Sequence, residues 1–205
     1  MTLKTDRRIP KQARSRQKVD MILRTARQLI GAHGNDAVSM REIAAKAEMP
    51  ISTIYQYFPD KSALLHLIMQ HYLDLTRDQL RAHFDAVSST EQFLTQIDPA
   101  IDDFFDLFQQ DPALAVLWGA MQADPKLCSL EAETSQSNAV YLSNKLTDLA
   151  PHIEADAAKL ALWHMLHSVS TSAQLALYMS KKDRDRLADE LKLTLRLRLK
   201  ALLAD

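Results

Sequence analysis

Between positions 52 and 61 the chain carries four hydroxyls, an amide and an ammonium: Ser52, Thr53, Tyr55, Tyr57, Gln56 and Lys61. Hydroxyls and amides suit phosphate oxygens and base edges. An ammonium beside free backbone N–H groups where a helix begins makes a phosphate clamp. The same residues also suit the polar surface of small packed helices, and spacing alone does not separate the two readings. A second pair, His164 and His167, stands at i, i+3 on one helix, where both rings could face a metal. No third ligand is identifiable. The single cysteine, Cys128, excludes an intramolecular disulfide and a Cys-x-x-Cys zinc site. There is no glycine-rich phosphate loop, no His-Glu-x-x-His and no Gly-x-Ser-x-Gly. The expectation is a protein that is not an enzyme and needs no cofactor. A helical-bundle metal protein or enzyme using His164 and His167 is the alternative. A helical interaction protein whose basic arm meets acidic partners or membrane is a third reading.

The elements that must position these groups are helical. Three glycines occur in 205 residues, and alternating β-branched runs are absent. All seven prolines read as punctuation between helical patterns, Pro99 among them, because proline inside a helix costs about 3 kcal/mol. A first helix is expected from Ser15 to His33. Its apolar stripe is Val19, Ile22, Leu23, Ala26, Leu29 and Ile30, and Gly34 stands where a left-handed cap belongs. Ser39 with Glu42 three residues on is a capping box for a short helix over Met40–Ala47. Pro50 opens a second short helix through Tyr57, with Ile54 and Phe58 left to pack. Longer helices are expected at Lys61–Phe84, Glu91–Gln109, Pro112–Met121, Leu127–Leu149, Ala155–Met179 and Asp183–Leu203. Two short helices joined by a tight turn after a longer one have the layout of a helix-turn-helix.

Charge is divided unevenly along the chain. Residues 1–61 carry twelve Lys and Arg against six Asp and Glu, and the remaining 144 carry thirteen against twenty. A basic head on an acidic body fits a polyanion-binding module fused to something else, or a solvated basic tail. The apolar share of 47% is ordinary for a soluble globular chain, and no stretch reaches the roughly 18 uncharged apolar residues of a membrane-spanning helix, so no membrane partner is expected. The start of the chain is polar and basic without an apolar signal region, and cysteine is scarce, which fits a cytoplasmic setting.

From about Arg16 to Leu67 the chain resembles the DNA-binding domain of the tetracycline-repressor (TetR) family. The matching residues are Ile22, Leu23, Arg24, Thr25, Ala26, Leu29 and Gly34, then Ser39 to Ala44 and Ala47. They continue with Thr53 to Phe58, Asp60, Lys61, Leu64 and Leu65. The resemblance implies an all-α fold: a basic arm and helix-turn-helix over 1–60, then a helical ligand-binding and dimerisation domain over 61–205. It implies a sequence-specific regulator, a homodimeric repressor released from a palindromic double-stranded operator by a small apolar or amphipathic effector. At matching positions it implies that Arg41 reaches a base edge or phosphate. Thr53 and Tyr55 would bond phosphates or bases, Gln56 a base edge, and Tyr57 and Lys61 phosphates. Ser52 stands with them, and Arg14 and Arg16 in the arm would contact the backbone or minor groove. Three departures stand out. Glu48-Met49-Pro50 replaces a frequent Gly-Val-Ser in the turn, Pro50 removes the usual serine cap, and Ile51-Ser52 replaces a frequent Lys-Gly.

In the body, large side chains with scattered methionines suit an adaptable apolar pocket or simply a core. The expected pocket residues are Phe104, Phe105, Phe108, Trp118, Met121, Tyr141, Trp163 and His167. The acids Asp98, Asp102, Asp103 and Asp106 flank this aromatic stripe and read as a solvated face. The last two long helices are apolar on two faces, so one face meets the domain and the other a partner. On the first of them one face holds Leu162, Leu166, Val169 and Ala173, and the other holds Leu160, Trp163, His167 and Leu175. The expected dimer interface is Leu162, Leu166, Val169, Ala173, Leu187, Leu191 and Leu195.

Overall fold

The computed structural model describes residues 11–121 and 124–204; the side chains of residues 11, 12 and 121 lie outside that description. Among the described residues there are nine helices and no strand. They are α1 (Lys11–His33), α2 (Met40–Lys46), α3 (Ile51–Tyr57), α4 (Lys61–Phe84), α5 (Thr90–Gln110), α6 (Pro112–Met121), α7 (Pro125–Leu149), α8 (Ala155–Ala176) and α9 (Lys181–Ala204). The chain divides into two compact units, one ending at Ile68 and one beginning at Met69. The boundary falls two turns inside α4, because Leu64, Leu65 and Ile68 are buried with the first unit.

In the first unit the α1 stripe supplies the core. Ile22, Ala26 and Ile30 are fully buried, and Ile43, Ile54 and Leu64 join them from α2, α3 and α4. Gly34 takes φ +84° and its N–H closes on the Ile30 carbonyl at 2.9 Å, ending α1. The helix begins four residues earlier than Ser15. The run Lys-Gln-Ala-Arg is made of strong helix formers and extends it, so Arg14 and Arg16 lie on α1 and not in an arm.

In the second unit α7 and α8 pack along each other, α8 and α5 meet α9, and α6 closes against α5, α7 and α8. Ser89 caps α5 through the Gln92 N–H at 3.2 Å. Asp124 caps α7 through the Lys126 N–H at 2.9 Å, with Pro125 in the first turn. Asp111 both ends α5 and accepts from the Ala113 N–H of α6 at 3.0 Å. Pro99 is inside α5 and not between helices. The buried stripe Phe93, Ile97, Ile101, Phe105 and Phe108 continues on both sides of it, and that burial offsets the lost backbone bond. α8 stops at Ala176, three residues before the expected Met179. Ser180 turns the chain and accepts from the Asp183 N–H at 3.2 Å as α9 begins.

Asp102, Asp103 and Asp106 of α5 are exposed, as a solvated face would be, but three of the four acids also take basic partners. Asp98 pairs with Arg196, and Asp102 meets Lys192 at 2.5 Å, both partners on α9. Asp103 meets His83 Nε2 at 2.8 Å. They stand at the seams with α4 and α9, where basic side chains reach them.

Candidate nucleic-acid interface and candidate ligand cavity

The two short helices are set by local chemistry. The Ser39 Oγ accepts from the Glu42 N–H at 3.3 Å, while Glu42 Oε2 accepts from the Ser39 N–H at 2.7 Å and its hydroxyl at 2.8 Å. These bonds hold the Glu42 carboxyl below its usual range. Ile43 and Ala44 then anchor α2 to the core. The turn passes through Glu48 at φ +53°, a left-handed residue with a Cβ, which costs about 1 kcal/mol relative to glycine. Pro50 is the N-cap of α3 and not its first residue. It makes no side-chain cap, and its carbonyl receives the Thr53 N–H at 2.9 Å.

On α3, Ile54 is fully buried and Phe58 follows it into the core, so the opposite face is turned out. Ser52 and Gln56 are exposed, Tyr55 is half exposed, and Thr53 and Tyr57 are half-buried. The Tyr57 hydroxyl accepts from Ser15 Oγ at 3.2 Å, which ties α3 to α1. Arg14, Arg16 and Arg41 are exposed. Lys61 is half-buried and donates through Nζ to the Asn35 carbonyl; burial lowers its pKa. Asp60 caps α4 by accepting from the Ala63 N–H at 2.7 Å. The first unit therefore shows one surface of hydroxyls, an amide and cations around a two-turn helix.

The second unit holds a cavity of about 110 Å³. Of the eight expected pocket residues, Phe104 and Trp118 line it, in edge contact with ring centroids 6.2 Å apart. Phe105 and Phe108 are buried behind them as core, Phe108 against Trp118 at 5.1 Å. Tyr141 does not line the cavity. Its hydroxyl donates to Asp85 at 2.5 Å and Arg81 lies over its ring; burial first, then the Asp85 bond, pushes its pKa up to about 12. Trp163 is half-buried and His167 exposed, and neither lines the cavity, though His167 is near enough to the lining Glu131 to act on its charge. The Met121 side chain lies outside the described residues.

The expected dimer stripe reverses. Leu162, Leu166, Val169 and Leu195 line the cavity instead. Ala173 and Leu191 are buried within the unit, and Leu187 is half-buried. The apolar residues left in solvent are those on the other face: Leu160 (66% exposed), Leu175 (49%) and Tyr178 (89%) on and after α8, with Leu193 (45%) and Leu197 (58%) on α9. Both faces read as apolar in the sequence, and only the packing of α7 and α5 determines which one is covered.

Sequence reasoning missed the polar wall. Glu131, Thr134, Ser135 and Asn138 of α7 line the cavity. Their spacing of i, i+3, i+4 and i+7 puts them on one helical face, which by composition reads as solvated. Asn138 is buried (9% exposed) in this wall.

Fold and site together define a helix-turn-helix protein with a helical, cavity-bearing second unit. Residues 22–68 match the family described as "Bacterial regulatory proteins, tetR family". Residues 91–196, just over half of the chain, match "Tetracyclin repressor-like, C-terminal domain". The chain belongs to the TetR family of bacterial regulatory proteins, whose members are DNA-binding transcription factors and not enzymes. It is similar to YvdT of Bacillus subtilis (strain 168), an uncharacterized HTH-type transcriptional regulator, with 34% identity over 97 residues, 47% of either chain. The match thus spans about half the length of that curated relative. Among solved structures it is similar to a TetR-family transcriptional regulator from Streptomyces coelicolor, at 18% identity and TM-score 0.68, over 90% of this chain and 99% of that one. It is also similar to the fatty acid degradation regulator FadR from Bacillus halodurans, at 19% identity and TM-score 0.69, over 87% and 94%. At these identities the likeness is one of fold. No helix among the described residues is long and apolar enough to cross a membrane.

Proposed function

We propose that the protein is a homodimeric repressor, acting in the cytoplasm, that holds a palindromic operator and is released by a small apolar or amphipathic ligand. The observation that carries this reading is the outward face of α3, where Ser52, Tyr55 and Gln56 stand in solvent while Ile54 and Phe58 secure the helix. In the proposed complex α3 enters the major groove, with Gln56 on a base edge and Ser52, Thr53, Tyr55 and Tyr57 on phosphates or bases. Arg41 reaches a base edge or phosphate, Lys61 a phosphate, and Arg14 and Arg16 the backbone from the first turns of α1. Support for a second copy is the exposed apolar face of α8 and α9, since five large apolar groups in solvent mark an interface. A two-fold pair of such units matches a two-fold operator. Support for a ligand is the cavity, apolar for the most part, with a few polar groups in its α7 wall. Ligand and operator favour different arrangements of the dimer, so each weakens the other by the same factor. The test is selection of bound duplexes from a random-sequence pool, followed by titration at one fixed salt concentration. A two-fold symmetric sequence bound at least a thousandfold more tightly than unrelated duplex is expected, an order of magnitude set by specific recognition. Equal affinity for all duplexes and for heparin refutes sequence-specific regulation.

A further inference from the structure

We infer that the cavity of the second unit takes a cation: an organic ammonium with an apolar or aromatic body, its charge placed at Glu131. This rests on the reading that the cavity is a ligand site, and it names the ligand's class. Among the described residues Glu131 is the one that lines the cavity with an ionisable side chain. Among the described residues no Lys or Arg pairs with it, and the neighbour its charge senses is His167 on α8. Burial pushes the Glu131 carboxyl up, against a smaller downward pull from His167. The carboxylate is thus held half out of water with its partner still to come.

The rest of the lining decides between ligand classes. The walls facing α7 are mostly apolar, with Phe84, Phe104, Trp118, Leu162 and Met165 beside the hydroxyls of Thr76 and Ser170. A neutral apolar ligand would strip water from Glu131 and leave it unpaired, which is unfavourable. An anion would meet a like charge in a confined apolar space. An ammonium answers the carboxylate, and the faces of Trp118 and Phe104 attract the same charge. Asn138, two turns along α7 from Glu131, lines the same cavity and would face a polar atom on the ligand body.

The test uses full-length protein and an isosteric pair, phenyltrimethylammonium and tert-butylbenzene, which differ in a nitrogen cation for a carbon. The carboxylate 4-phenylbutyrate serves as the anionic probe. Dissociation constants are measured by displacement of an apolar fluorophore and by thermal shift. The expected result is that wild type binds the cation at least tenfold more tightly than the hydrocarbon. Glu131→Gln abolishes that preference, weakening the cation and strengthening the hydrocarbon as the desolvation penalty falls, while Glu131→Asp retains it. The Asp variant keeps the result readable if the Gln variant folds poorly. Equal binding of cation and hydrocarbon, untouched by either substitution, overturns the cation and leaves the cavity as a ligand site. So does preferred binding of 4-phenylbutyrate. Failure of all three probes to bind overturns both readings.

Discussion

Placing glutamates at Leu160 and Leu197 tests which face of the second unit meets another copy. The two leucines are 66% and 58% exposed, on the outward sides of α8 and α9. Burying a whole leucine is worth about 2 kcal/mol, so at these exposures each stands to gain about 1.2 kcal/mol. Two-fold symmetry counts each residue twice, which brings the four side chains to about 5 kcal/mol. At about 1.4 kcal/mol per decade, losing that term alone weakens the dimer by three to four orders of magnitude. Four carboxylates crowded at the seam weaken it further. On the proposed homodimer, wild type is expected to sediment as a dimer at micromolar protein, and Leu160→Glu/Leu197→Glu as a monomer with the same helical circular dichroism. Leu162→Ala is the contrasting variant. It should lower the melting temperature by the several kcal/mol of a core truncation without changing the dimer's dissociation constant. A double glutamate variant that dimerises like wild type, or a Leu162 variant that dissociates while staying stable, refutes the assignment of faces.

Ser39→Ala removes the capping box and should destabilise the first unit by about 1 kcal/mol, read from its thermal unfolding. The same box makes stability fall in acid. The folded-state pKa of Glu42 is depressed, so its stabilisation is present above the ordinary value of 4.5 and is lost as pH falls through the folded pKa. Ser39→Ala should flatten that acid limb, and an unchanged limb would show that the carboxyl is not held by these bonds. Glu48→Gly should relieve the left-handed backbone and raise the melting temperature by less than the full strain of about 1 kcal/mol, because glycine also loosens the unfolded chain. A drop in melting temperature would mean that the Glu48 side chain has a stabilising contact. Lys61→Ala should lower affinity for all duplexes and reduce the slope of log affinity against log salt by about one, as a phosphate contact requires. An unchanged slope would leave Lys61 only its bond to the Asn35 carbonyl.

The first unit was largely legible because its signals are local. The stripe Ile22–Ala26–Ile30, the left-handed Gly34, the Ser39–Glu42 box and the Ile54–Phe58 anchor each follow from a few neighbouring residues. The second unit was legible as helices but not as faces. Leu162 and Leu160 sit on opposite sides of one helix with equal hydrophobicity, and only distant elements determine which side is covered. The cavity's polar wall was hidden for the opposite reason. A Glu-Thr-Ser-Asn stripe has the composition of a wet surface, so nothing local marks it as interior. Pro99 misled through a sound rule, since its helix is held by a buried aromatic stripe on both sides.

The division of α7 also bears on how the second unit breathes. Its inward face is Leu127, Glu131, Thr134, Ser135 and Asn138 on the N-terminal side, and Ala139, Leu142, Ser143 and Leu146 beyond, so most of the large apolar burial lies in the second part. Adhesion of a helix to its neighbours scales with the apolar surface it buries, so the two halves hold with unequal strength. The first half is the part that separates at the lower free energy, a local opening with the rest of the unit folded. Amide protons there are expected to exchange with solvent sooner than those beyond Asn138. The same loosening gives a molecule its way in, through the wall that carries the groups it would meet.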